Sequence, residues 1–181
     1  YPNAGWELTG RVAEERNGHG GFTFEYRGDR PEKWINEPNG WLFGYFGWLW
    51  ADCGVKIAWI DASRHQLATL HPSAYGAREG MPWFAYNVLP ELDEPGEWYL
   101  DSWHGRIIVY PPSPPENAVI EYPLLEKPFV VVENATNVRF ERLTFDLGRW
   151  NGIEVRDSDN VLVAGCVIRR LGGTAVTIEG G

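Results

Sequence analysis

The chain has 181 residues, enough for one domain or two small ones, and its 44% hydrophobic content allows a sizeable core. A formal net charge of −9 and a pI near 4.9 argue against nucleic acid and anionic membranes as partners, because an acidic surface repels phosphate. Ten tryptophans beside 21 glycines and 13 prolines point to short strands and tight turns rather than helical bundles.

The chain opens "YPNAGWELTG", with neither a basic start nor an apolar run, so no signal peptide is visible. "FTFEY" (22–26), "VKIAWID" (55–61) and "QLATL" (66–70) read as strands, separated by the turn signals "RGDRP", "EPNG", "DASRH" and "HPSAYG". A short helical segment fits 30–35. Residues 1–104 therefore read as one aromatic-rich β unit, a small antiparallel barrel or sandwich.

"WLFGYFGWLW" (41–50) holds six aromatic residues among ten and no charge. It is far shorter than the roughly 20 apolar residues a membrane span needs. Period two sends Trp41, Phe43 and Tyr45 one way and, after Gly44 and Gly47, groups Phe46, Trp48 and Trp50. The glycines permit a bend or bulge. Two readings stand for the stretch: core buried on both faces, or a platform for sugars. Trp6, Trp34, Trp83 and Trp103, with polar or turn-like neighbours, are the better candidates for exposed stacking.

"EWYLD", the turn "SWHG" and "RIIVY" read as a β-hairpin linking this unit to the C-terminal part of the chain. Beyond it the apolar register recurs every 23 residues. Asn137 matches Asn160, Leu143 matches Cys166, Phe145 matches Ile168, and Ile153 and Val155 match Val176 and Ile178. Backwards, the register reaches Val130 and Val132, then Ile107 and Val109, with Ile120 and Tyr122 below Leu143 and Phe145. A β-sandwich explains alternation but not a constant offset. The sequence thus predicts parallel β-helix coils over 105–181, about 4.8 Å apart, with Val130, Ile153 and Val176 in one interior ladder. Asn137 and Asn160 should stack at a corner, amide to amide. The repeat stops at "TIEGG" without a cap, so a longer parent, or self-association through an open coil edge, is expected.

"YPNAGW", "GYFGWLWAD", "NVLPELDEPGEWYLD" and "GRIIVYPP", with the coils after them, resemble large bacterial right-handed parallel β-helix proteins of the pectate-lyase-like superfamily. Many of these are glycoside hydrolases by assignment. The resemblance covers most of the chain and is most specific over 87–112; Phe46, where a Trp is expected, departs from it. It implies a small β domain inserted in the helix, an extracellular or periplasmic protein, and polysaccharide or oligosaccharide as partner. It supplies no catalytic positions.

Glycoside hydrolysis needs two carboxylates, about 5 Å apart in retaining and about 6.5–9.5 Å apart in inverting enzymes. Glu154, outward between Ile153 and Val155, with Asp157 just beyond, is the acid/base candidate; solvated turn carboxylates are the alternative. Trp103, Arg149, Trp150 and Arg156 are the candidates for holding sugar, by stacking and by hydrogen bonds to hydroxyls or a uronate. A non-catalytic glycan-binding or structural module is the competing expectation. The cluster Glu91, Asp93, Glu94 and Glu97 lacks the alternation of a calcium loop and reads as a structured turn. His19, His65, His71 and His104 are scattered, and no metal or cofactor motif is present. Cys53 and Cys166 read as two thiols rather than a disulfide. "NAT" (134–136) matches a glycosylation sequon, though corner chemistry accounts for it.

Overall fold

The computed structural model describes residues 1–13 and 20–180; His19 lies outside them. The protein is all-β, with short 3-10 turns and no α-helix among these residues. It divides into two compact units, Tyr1–Glu116 and Asn117–Gly181. The division falls after the expected 104/105, because the 106–109 strand belongs to a hairpin of the first unit.

The first unit contains β1 (Glu7–Leu8), β2 (Thr23–Glu25), β3 (Trp41–Trp48), β4 (Ala51–Asp61), β5 (Gln66–Thr69) and β6 (Pro82–Tyr86). They form one antiparallel sheet in the order β1-β6-β3-β4-β5-β2. The sheet curls into a half-barrel. Phe24 on β2 meets Trp83 on β6 edge-on, with ring centroids 5.4 Å apart. The chain leaving β1 also reaches the opposite edge, where Gly10 N–H donates to the Glu25 carbonyl at 2.7 Å and Glu25 N–H to the Arg11 carbonyl at 2.9 Å. Inside lie Phe24, Tyr26, Trp34, Leu42, Phe46, Val55, Leu67 and Trp83.

β3 shows how the aromatic stretch resolves. Leu42 and Phe46 alternate into the core, while Trp41, Phe43 and Tyr45 share the other face and are only half-buried. Burial on both faces is thus corrected to burial on one. Gly44 lets Trp83 close in, since a methyl there would lie 2.8 Å from the Trp83 Cβ. A methyl at Gly47 would lie 2.5 Å from the Tyr75 carbonyl oxygen. The register shifts between Gly44 and Trp48, the expected irregularity. Trp48 and Trp50 do not follow Phe46 inward. Both are exposed at the hairpin end, Trp48 under the Arg78 guanidinium (3.6 Å) and Trp50 edge-on to Tyr75 (4.8 Å).

Two expected exposed tryptophans are also corrected: Trp34 and Trp83 are each 1% exposed. Trp34 ends a 3-10 helix, Arg30–Trp34, and its indole N–H donates to the Glu91 carboxylate at 2.6 Å. A paired polar edge lets so large a ring be buried. β7 (Trp98–Asp101) and β8 (Arg106–Val109) form the expected hairpin.

In the second unit every strand pairing is parallel and offset by 23 residues. β9 (Val130–Glu133), β12 (Ile153–Arg156) and β15 (Val176–Glu179) form one ladder, with Val130, Ile153 and Val176 in register. β10 (Arg139–Glu141) pairs with β13 (Leu162–Ala164), and β11 (Thr144–Gly148) with β14 (Val167–Leu171). Val130, Val132, Phe140, Phe145, Ile153, Val155, Ile168 and Val176 pack as one small core.

The register stops short of its predicted start. Ile107 and Val109 face Leu100 and Trp98 in the hairpin, not Val130 and Val132. Ile120 and Tyr122 lie outside any strand, and Ile120 is 88% exposed. Only at Leu125 and Glu126 does the stacking begin. Arg149 N–H donates to the Leu125 carbonyl at 3.1 Å, and the Arg149 guanidinium pairs with Glu126. Coils over 105–129 are therefore corrected to parallel ladders from Val130 onward.

Candidate functional site

The acid/base candidates sit at the end of β12. Glu154 projects between Val131 and Thr177 of the neighbouring strands, yet is only 6% exposed. Both of its oxygens are engaged: Oε1 accepts from the Asn151 side-chain amide at 2.9 Å, and Oε2 from the Arg156 guanidinium at 2.5 Å. Asp157 follows in the left-handed region (φ 43°), exposed at the corner. A carboxylate held by an amide and a guanidinium braces a corner. A general acid for glycoside cleavage has to meet the glycosidic oxygen.

Arg156 is thus engaged by Glu154 and Arg149 by Glu126. Trp150 is half-exposed in the turn before β12. Trp103, 78% exposed, tips the β7–β8 turn in the other unit. Beside it Asp101 accepts from the His104 Nδ1 edge (2.7 Å) and from Arg106 Nε (2.9 Å). Hydrogen bonding from His104 and Arg106 outweighs the burial that would raise Asp101, and holds its carboxyl below the usual range.

A different surface gathers more recognition chemistry. The outer face of β3 and β6 carries Trp41, Phe43, Tyr45, Phe84 and Tyr86, and Trp6 lies over it from beside β1. Its centre is closely packed: Trp6–Phe84 5.1 Å, Phe43–Phe84 5.3 Å and Trp6–Tyr45 5.7 Å between centroids. Strand alternation builds it. Trp83 and Ala85 point into the core, so Phe84 and Tyr86 must point out; cross-strand pairing sets Phe84 beside Phe43 and Tyr86 beside Trp41. On the far side of β3, Lys56 pairs with Trp41 and Gly54 with Phe43. A methyl at Gly54 would come within 3.0 Å of the Tyr86 hydroxyl, so the glycine leaves room for that ring to lie across the sheet. Burial pushes the Tyr86 phenol up from its ordinary value, and its hydroxyl can both donate and accept. Rings, two hydroxyls and an ammonium thus share one half-exposed face.

At the end of β6 this face adjoins a cavity of about 270 Å³, walled by Tyr1, Tyr86, Asn87, Glu91, Glu97 and Trp98, among others. Glu91 is 6% exposed and closes its floor, bound by Arg30 Nε at 2.8 Å and by Trp34. Glu97 Oε2 accepts the Asp93 and Glu94 backbone N–H groups at 2.7 and 2.8 Å. The turn is therefore tied down by the Glu97 carboxylate, in line with the structured-turn reading. Sequence reasoning missed Tyr86, Phe84 and Trp98 as surface residues. The alternation around Trp83 carried that signal for Phe84 and Tyr86.

Among the described residues no group of three or more His, Cys, Asp or Glu is placed to hold a metal ion, and no helix is long and apolar enough to cross a membrane. Cys53 and Cys166 are free thiols. Compared with protein-family models, with curated proteins and with solved structures, the chain has no match.

Proposed function

We propose that this chain is a non-catalytic glycan-binding module of a carbohydrate-active protein, and that its ligand is a polysaccharide or oligosaccharide lying on the outer face of β3 and β6. The observation that carries this reading is the set of six aromatic side chains, Trp6, Trp41, Phe43, Tyr45, Phe84 and Tyr86, sharing one partly exposed face. Aromatic faces suit the C–H faces of pyranose rings, and the adjoining hydroxyls and Lys56 suit sugar hydroxyls. An exposed apolar patch of this kind is uncommon without a role.

The same proposal takes the parallel ladders from Val130 onward as coils of a right-handed β-helix of the pectate-lyase-like kind. That is supported by the constant 23-residue register together with the resemblance of 87–112. On this reading the protein works outside the cytoplasm, where polysaccharide is met. Binding is preferred to glycoside hydrolysis because both Glu154 oxygens are already engaged, by Asn151 and by Arg156.

Calorimetric titration against soluble neutral, amino and uronic polysaccharides tests the reading. Binding to at least one is expected, with Trp6→Ala and Phe43→Ala each weakening it about tenfold when measured well below the melting temperature of each variant. Unchanged affinity in both variants, or no binding across the panel, overturns it.

A further inference from the structure

The shape of the outer face of β3 and β6 narrows what can lie on it. The sheet curls until Phe24, on its last strand β2, meets Trp83 on β6 within 5.4 Å. Leu42, Phe46 and Trp83 fill the inside of that curl, so the rings of the opposite face stand on its convex wall. Side chains on a convex, twisted sheet splay apart instead of sharing a plane. Phe43 with Phe84, and Trp41 with Tyr86, are the flattest neighbours on these strands, and each pair is still inclined by 32°. Phe84 is turned 60° from Tyr86, and Phe43 is turned 78° from Tyr45.

A crystalline polysaccharide presents a flat face, and rings that hold it have to be coplanar. Laid on this wall, a flat solid would touch one line of rings and miss the others. A single chain in solution turns at each glycosidic bond and can follow the inclination from ring to ring. From Trp41 to Tyr45 β3 rises roughly 13 Å, so the row engages a short stretch along such a chain. Charge narrows the ligand further. On β4, Cys53 and Val55 pack against the core, and strand alternation turns Asp52, Gly54 and Lys56 outward. Asp52 and Lys56 offset each other there, on a protein whose formal net charge is −9. A polyuronate would bring a carboxylate on every unit toward that negative excess. A chain of amino sugars would be drawn to the whole acidic surface and not to this face.

From this we infer that the ligand of the face is a single dissolved chain of neutral sugars, bound along its length by the inclined rings of β3 and β6, and not the surface of a crystalline polysaccharide. The inference rests on the glycan-binding reading above and adds the physical form and the charge of the ligand.

The test sets soluble chains against solids at about 0.3 M salt, where long-range charge is screened. The neutral chains are mixed-linkage β-glucan, glucomannan and xyloglucan; the charged ones are polygalacturonate, alginate and chitosan; the solids are microcrystalline cellulose, crystalline mannan and α-chitin. At least one neutral chain should bind, about tenfold or more tighter than any charged one, and the solids should retain no more protein than they retain of albumin. Trp41→Ala and Tyr45→Ala, at the two ends of the β3 row, should each weaken binding about threefold to tenfold when measured well below the melting temperature of each variant. Retention on a crystalline powder above the albumin level, a charged chain binding as tightly as the best neutral one, or a loss in fewer than both variants overturns the inference and leaves the broader glycan-binding reading to its own test. If neither a soluble chain nor a solid binds, both fall together.

Discussion

The Asn160 side-chain amide donates to the Asn137 side-chain carbonyl oxygen at 2.5 Å, across 23 residues of sequence. Both residues have left-handed backbones, φ 51° and 62°, a region that asparagine tolerates better than most residues. The pair therefore turns the chain and joins two successive turns of the repeat. Parallel bonds reinforce the offset nearby: Ala135 N–H donates to the Ser158 hydroxyl at 3.1 Å and Thr174 N–H to the Asn151 side chain at 2.8 Å.

Asn160→Ala should thus lose twice, once in the hydrogen bond and once in backbone strain, for about 1–2 kcal/mol in all. Asn160→Gly should lose only the bond. A double-mutant cycle with Asn137→Ala, followed by urea unfolding, should give a coupling of about 0.5–1 kcal/mol. Additive losses would mean that the two amides do not act on each other.

The corner pair was legible because stacking repeats one environment, and repetition leaves a periodic trace in the sequence. The start of the stack was not. Ile107 and Val109 alternate as a ladder strand would, but alternation reports a strand and says nothing of its partner. Here the tight turn 102–105 brings them against Leu100 and Trp98 first. Trp34 and Trp83 failed for a related reason. Polar and turn-like neighbours made them look exposed, whereas Trp34 is drawn inward by Glu91, 57 residues away, a pairing that no local pattern encodes. The sheet-face site was half legible. Period two correctly grouped Trp41, Phe43 and Tyr45, but that Phe84 and Tyr86 lie beside them depends on the pairing of β3 with β6.

Glu91 should be the most sensitive charged residue of the first unit. It holds Arg30 and Trp34 together beneath the 89–97 turn. Removing one partner of a buried pair costs about 3–5 kcal/mol. With Arg30 about a third exposed, about 2–3 kcal/mol is expected for Glu91→Ala. Glu91→Gln keeps an acceptor for the indole and should lose less. Chemical denaturation followed by tryptophan fluorescence measures both, and equal losses would assign the effect to packing rather than charge.

Acid should loosen the second unit through Asp146. Hydrogen bonding from Arg170, joined by Arg169, outweighs desolvation and pulls its carboxyl from an ordinary 3.8 to about 2. The folded value lies below the unfolded one, so the charged form is the stabilised form. Its contribution is complete above the ordinary value and is lost as pH falls toward about 2. Melting curves of the parent and Asp146→Asn, compared from pH 5 to pH 2, should converge over that window. A gap that stayed constant would assign the aspartate a role independent of its charge.

Gly152 tests the stacking most directly. It precedes β12 in the middle of the three-stranded ladder, where Val130 N–H donates to its carbonyl and its own N–H donates to Thr174. A methyl there would lie 2.5 Å from the Ala175 carbonyl oxygen and 2.8 Å from Ile168 Cγ2. The Ala175 carbonyl cannot retreat freely, because it accepts the Ile153 N–H at 3.0 Å. Gly152→Ala therefore has to strain the packing or break that bond, for about 2–4 kcal/mol. Gly165 supplies the contrast. Its φ is 61°, yet the nearest atom to an added methyl is Arg142 Cγ at 3.7 Å, so Gly165→Ala incurs only the left-handed backbone strain, about 1–2 kcal/mol. Urea unfolding of the two variants should rank Gly152→Ala as the more damaging. The reverse order would mean that the turns of the repeat do not approach as closely as the Gly152–Ala175 contact requires.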